Sequence, residues 1–231
     1  MAQANVDTMK TDLMGEALLF GLLGKMLYGE LDRAWLETLI RDEVFAEAPF
    51  GANQHDILCG LEIMGHWSVE NHAGISETEF KALKQDQLRL FIGLEKVLAP
   101  VWESVYFNPN RLVFQEQTLQ VRGWYARFGL QLERLNNEPD DHIGIELSFV
   151  AHLASRALQA QNVDQPAFEE LLQAQRDFLT EHLLRWGPTW AKLVKQQAET
   201  DFYRGIARLT HGALLAAAEM LQIQMPREVS L

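Results

Sequence analysis

The chain has one cysteine, Cys59, so no internal disulfide can form, and such usage fits a reducing compartment. Basic residues are also scarce: 20 Lys and Arg stand against 32 Asp and Glu, a formal net charge of −12. That balance argues against nucleic acid or an anionic membrane as partner and favours a basic one. No run of strict apolar–polar alternation is long enough for a sheet. There is no phosphate loop of the Gly-x-x-x-x-Gly-Lys type, no dinucleotide fingerprint and no glycine pattern of a nucleophile elbow around any serine. None of the seven histidines follows a glutamate by three residues, which excludes the Glu-x-x-His pairs of a di-iron bundle. His55 and Cys59 could supply two zinc ligands at most. No catalytic residue and no metal-ligand set is assigned on these grounds, and the expected protein is not an enzyme. A secretory leader is not expected either, because the first residues are polar and lack a basic start. The apolar stretch 13–27 contains Glu16, Lys25 and several glycines, so it reads as a buried helix rather than a membrane span. The expected location is cytoplasmic, without stable membrane insertion.

What is present is helical spacing almost everywhere, which predicts an all-α chain of eight or nine helices. Leu13, Ala17, Phe20, Gly24 and Leu27 form the stripe of a first helix, preceded by Asp7 and Thr8. Further helices are predicted over 31–44, 54–72, 76–91, 118–128, 139–160, 164–187, 188–197 and 202–222. Ser76-Glu77-Thr78-Glu79 has the capping-box form. Pro139, Pro166 and Pro188 each suit a first helical turn, and Asp201 is read as the last cap. The polar run Arg134–Asn137 is the expected hinge between an N-terminal lobe, 1–134, and a C-terminal lobe, 135–231, which opens at Glu138-Pro139-Asp140-Asp141-His142.

Residues 100–147 hold most of the unusual positions. Trp102, Tyr106 and Phe107 lie in an irregular stretch between Pro100 and Pro109. Such rings either fill core or present an apolar face for recognition, with the prolines lowering the ordering cost. Glu103 adds an anion beside Trp102. Asp140 and Asp141 stand where a carboxylate can cap free amides at a helix start. Capping accounts for one of them, not for both together with Glu138 and His142. The surplus suits a guanidinium held in bidentate fashion. His142 and Glu146, spaced i,i+4, share a helix face and could bond each other.

Trp102-Glu103-Ser104-Val105-Tyr106, Arg111-Leu112-Val113-Phe114, Thr118-Leu119 with Val121-Arg122, and Glu138-Pro139-Asp140-Asp141-His142 with Glu146-Leu147 resemble the TorD/DmsD family of redox-enzyme maturation chaperones. Leu90-Phe91-Ile92-Gly93 and Phe202-Tyr203-Arg204 also look like family landmarks, so the resemblance runs from about residue 85 to 215. It implies a two-lobed helical fold, as monomer or domain-swapped homodimer. It further implies binding of the twin-arginine signal peptide and apo form of a molybdopterin-dependent reductase of the dimethyl sulfoxide reductase type, held for cofactor insertion before export. No resident cofactor is implied, although some members associate with guanine nucleotide or molybdopterin guanine dinucleotide. The leader-binding positions correspond here to Leu90, Phe91, Pro100, Trp102, Tyr106, Pro139, Asp141 and His142. Glu103, Glu138 and Asp140 join them as anions for the leader's arginines. The chain departs from the family pattern at Gly93-Leu94 and Pro100-Val101-Trp102, and at Gln87 and Glu95 where some members carry aromatics. The alternative left open is a helical protein that binds or hydrolyses GTP, with the acidic cluster holding Mg²⁺ and His142 as general base.

Overall fold

The computed structural model describes residues 2–93, 97–132 and 138–229, with side chains from residue 7 onward. Its elements are α1 (Ala2–Tyr28), α2 (Arg33–Arg41), α3 (His55–Glu70), α4 (Glu77–Gln87), α5 (Ser104–Phe107), α6 (Glu116–Arg127), α7 (Ile143–Ala160), α8 (Gln165–Phe178), α9 (Leu184–Gln197) and α10 (Asp201–Met220). The described residues contain no strand, so the protein is all-α, as its spacing predicts. Among them, no helix is long and apolar enough to cross a membrane.

Two helix pairs carry the packing, α1 along α7 and α3 along α10. Both depend on small residues that let backbones approach closely. A Cβ on Gly24 would come 2.8 Å from the Gly144 carbonyl oxygen, and one on Gly144 would come 2.8 Å from the Tyr28 backbone nitrogen. On the other pair, a Cβ on Gly212 would sit 2.7 Å from the Ile57 nitrogen. Gly24, the glycine within the first predicted stripe, thus marks a helix interface. Large rings fill the space around these pairs: Trp186, Trp190, Tyr203, Phe20, Phe178 and Phe202 are among the fully buried side chains. The expected hinge, 134–137, with the lobe boundary between 134 and 135, lies outside the described residues, and both principal helix pairs join elements from either side of it.

Local chemistry explains several helix starts. Ser76 Oγ accepts the Glu79 amide at 3.1 Å, and Asp32 and Asp164 cap α2 and α8 in the same way. Glu79 does not complete the reciprocal box, because its carboxylate accepts the Trp67 indole N–H at 2.8 Å. Thr200, not Asp201, caps α10; Asp201 pairs instead with Arg204 one turn on, at 2.8 Å. The expected break before Pro188 is absent. From α8 a π turn, Leu179–Leu183, leads directly into α9, and Pro188 lies inside that rod. A wide turn just upstream of a proline relieves the crowding its ring imposes on the preceding turn.

Candidate functional site

The mid-chain motif folds as two segments laid side by side. Residues 99–107 run antiparallel to 138–143, joined at one bridge between Trp102 and His142. Glu103 N–H donates to the Asp141 carbonyl at 2.9 Å and Ile143 N–H to the Val101 carbonyl at 2.8 Å. A second π turn, Leu88–Ile92, ends α4 and leaves the Leu90 carbonyl to accept the Ala99 amide at 2.8 Å. The turn stops at Gly93, whose φ of 63° with ψ of 147° is readily adopted only by glycine. In this way the Leu90-Phe91 step is tied to the start of the aromatic segment.

Each carboxylate of the motif has a specific post. Asp141, fully buried, accepts the Ser104 amide at 2.7 Å and the Thr118 hydroxyl at 2.8 Å, so it caps α5 and fastens α6. Asp140 Oδ2 takes Arg122 Nε at 2.7 Å and Nη2 at 2.6 Å, while the Tyr125 hydroxyl donates to its carbonyl. The cap of α7 is His142 rather than either aspartate: its Nδ1 accepts the Gly144 amide at 3.0 Å. That bond uses the Nδ1 lone pair, which puts the proton of the neutral ring on Nε2, 3.8 Å from Glu138. Burial depresses the imidazole pKa to about 3. A neutral ring with its lone pair committed is poorly suited to act as a general base, and Asp141, with both oxygens engaged, is poorly placed to hold Mg²⁺.

Behind the motif lies a second acid layer. Glu103 Oε2 is 2.9 Å from His182 Nδ1, and Glu146 Oε2 accepts the Trp186 indole at 3.4 Å. Burial raises both carboxyl groups above their ordinary range, and their mutual repulsion and that of Asp141 push Glu146 further in the same direction. The second oxygen of each is buried without a partner. His142 and Glu146 therefore find other partners than each other.

The sequence-derived positions thus differ sharply in exposure. Leu90, Phe91, Pro100, Glu103, Tyr106, Pro139, Asp140, Asp141 and His142 are all buried. Phe91 stacks on Trp190 and meets Tyr203 edge-on; the Tyr106 hydroxyl donates to the Pro100 carbonyl at 2.8 Å. Glu138, with its side chain 37% exposed, and the half-buried Trp102 reach the surface. Thr118, Arg122, His182 and Trp186 complete the network. Of these, Thr118 and Arg122 share one face of α6 at i,i+4, whereas His182 gave only the weak signal of a lone imidazole among leucines. A cleft of about 490 Å³ next to His182 is lined by Gln120, Trp124, Arg127 and Arg185 among others. His55 and Cys59 do approach, to 3.6 Å, as a two-residue pair on α3.

The nitrate reductase delta subunit family matches residues 67–192, more than half of the chain and all of this network except Tyr203 and Tyr28, whose ring lies 5.3 Å from that of His142. The chaperone protein TorD of Vibrio cholerae is 35% identical over 127 residues, 55% of this chain and 56% of that protein. The Tat proofreading chaperone DmsD of Salmonella typhi is 32% identical over 129 residues, 56% of this chain and 57% of its own length. A probable Tat proofreading chaperone DmsD of Haemophilus influenzae is 27% identical over 209 residues, 89% and 91% of the two chains. The match therefore spans little more than half of the TorD relative and nearly all of the Haemophilus protein. The chain belongs to the nitrate reductase delta subunit family, in the helical group that includes TorD and DmsD.

Proposed function

We propose that the chain is a redox-enzyme maturation chaperone. It binds the twin-arginine leader and apo form of a molybdopterin-dependent oxidoreductase of the dimethyl sulfoxide reductase type, in the cytoplasm, and holds it for cofactor insertion before export. The observation that carries this reading is the alignment along 89% of the chain with a relative named as a probable Tat proofreading chaperone. In this reading the chaperone holds no resident cofactor and works as a monomer or a domain-swapped homodimer. A guanine nucleotide would find an indole face and two guanidiniums in the cleft of Trp124, Arg127 and Arg185.

The burial pattern supports a division of labour within the motif. Glu138 and the open face of Trp102 touch the leader. Glu103, Asp141 and His142, with Leu90, Phe91, Pro100, Tyr106 and Pro139, hold those two in position. Asp140 reaches a leader arginine only by exchanging Arg122 for it, one charge-assisted guanidinium bond for another. Such a bond is worth ~1.5–3 kcal/mol when sheltered and less when screened.

Calorimetry with a synthetic twin-arginine leader tests the reading. Wild-type protein is expected to bind it, Trp102→Ala to bind it more weakly, and Glu138→Gln to lose less. Raising salt should slow association while leaving much of the affinity. A leader that shows no binding, together with no molybdoenzyme precursor co-purifying from cells, would remove the proposal.

A further inference from the structure

We infer that Arg122 is a built-in competitor for the leader's arginine, one that closes Asp140 to cations arriving without an apolar neighbour. This rests on the reading above and supplies its specificity. Arg122 Nε and Nη2 lie 2.7 and 2.6 Å from one Asp140 oxygen. The carboxylate side chain is 2% exposed and the arginine 31%, so the arginine is the outer partner of the pair. Both line one cavity of about 400 Å³, walled among the described residues by Tyr125, Ala126, Leu130 and Leu132. Gly129 leaves it open, with nothing within 4 Å of where a Cβ would stand. An incoming guanidinium with an apolar neighbour finds a carboxylate and a greasy wall in one place. An arginine of this chain already holds the carboxylate.

Asp140 does not depend on Arg122 for its place. The Tyr125 hydroxyl donates to the Asp140 carbonyl at 3.2 Å, and Asp141 is fixed through Thr118 and the amides of Glu103 and Ser104. What Arg122 supplies is charge, since without it a buried carboxylate would lack this counterion. A leader arginine that replaces it gains one charge-assisted bond and costs another, so the exchange alone brings little affinity. Net binding has to come from the side chain beside that arginine, buried against Ala126, Leu130 and Leu132. A lone cation brings none and leaves Arg122 where it is. The pair therefore selects by exclusion, which a bare acidic subsite would not do. In the free protein, the small fraction of molecules with Asp140 vacant scales down the affinity for any arginine.

The test is calorimetry on the full chain with three synthetic peptides: a twin-arginine leader, that leader with both arginines replaced by glutamine, and an arginine pair without the apolar run. Arg122→Gln is expected to bind the first roughly tenfold more tightly than wild type does, and the second no more tightly. It should also bind the third more tightly than wild type does. Arg122→Lys keeps a point charge but loses the fork, so its gain should be smaller. In an Asp140→Asn background the gain from Arg122→Gln should vanish. An Arg122 that only braces the fold predicts the reverse, with both leaders losing affinity together. That result, or unchanged affinity for the twin-arginine leader, would overturn the competitor role and leave the chaperone reading standing. Should Arg122→Gln fail to fold, Arg122→Lys decides alone, and no gain in it overturns the role. A twin-arginine leader bound by none of these proteins would remove both.

Discussion

The paired segments 99–107 and 138–143 carry Glu103, Glu138, Asp140, Asp141 and His142 and bury all of them but Glu138. The outer faces of α1 and α3 instead leave Leu18, Leu58 and Val69 in solvent. In the first, charged groups are held by amides, hydroxyls and a guanidinium, so they fix geometry. In the second, exposed apolar side chains have no such commitments, so their free energy remains available for a partner. Buried carboxylates mark where a polar interior has to be specified, and exposed leucine and valine can still form a contact surface.

This contrast can be broken most directly at Asp141. Asp141→Ala strands the Ser104 amide and the Thr118 hydroxyl in the interior, and should cost roughly 3–5 kcal/mol in chemical denaturation. A cost below about 1 kcal/mol would mean that the segment is not held as described. Glu16 sharpens the comparison from the other side. It is fully buried on α1 with neither oxygen partnered, and its pKa is raised to about 8 by desolvation, with Asp12 adding to it. The folded state therefore holds this proton more tightly than the unfolded chain does. Stability from this group is complete below the ordinary value of 4.5 and is lost as pH rises through about 8. Glu16→Gln should remove that loss and gain roughly 2–4 kcal/mol over wild type at alkaline pH, with little gain at pH near 4.

His142 gives a smaller effect of opposite sign. Its folded pKa lies below the unfolded one, so its contribution is present above 6.5 and is lost as pH falls towards 3. His142→Ala should cost about 1–2 kcal/mol at neutral pH, and His142→Asn, which can also cap, should recover part of it. The smallest effect is expected on the exposed face of α1: Leu18→Glu should shift stability by no more than about 0.5 kcal/mol.

The sequence disclosed what depends on near neighbours. Ser76 and Asp164 cap because their side chains bond an amide three residues ahead, a relation visible in the chain itself. Helical spacing gave the class for the same reason. Glu79 was misread because its partner, Trp67, belongs to another helix. The cap of α7 was misplaced because aspartate outranks histidine at that position in general, while here Asp141 is already drawn to α5 and α6. Pro188 does not act as a stop because a π turn five to nine residues earlier accommodates it. Exposure was the least legible property: Glu138 and Asp141 look equivalent as letters, and tertiary packing alone separates them.

The close approach of Gly24 to Gly144 has a bearing on where this protein's working unit begins. Helix α1 precedes the stretch shared with the nitrate reductase delta subunit family, yet it presses its backbone against the first turn of α7 and lays Tyr28 over His142. The opening helix is thus a lid fastened onto the signature from outside it. A fragment trimmed to the shared stretch would open the imidazole to water, and a single methyl on either glycine would act as a wedge beneath that lid.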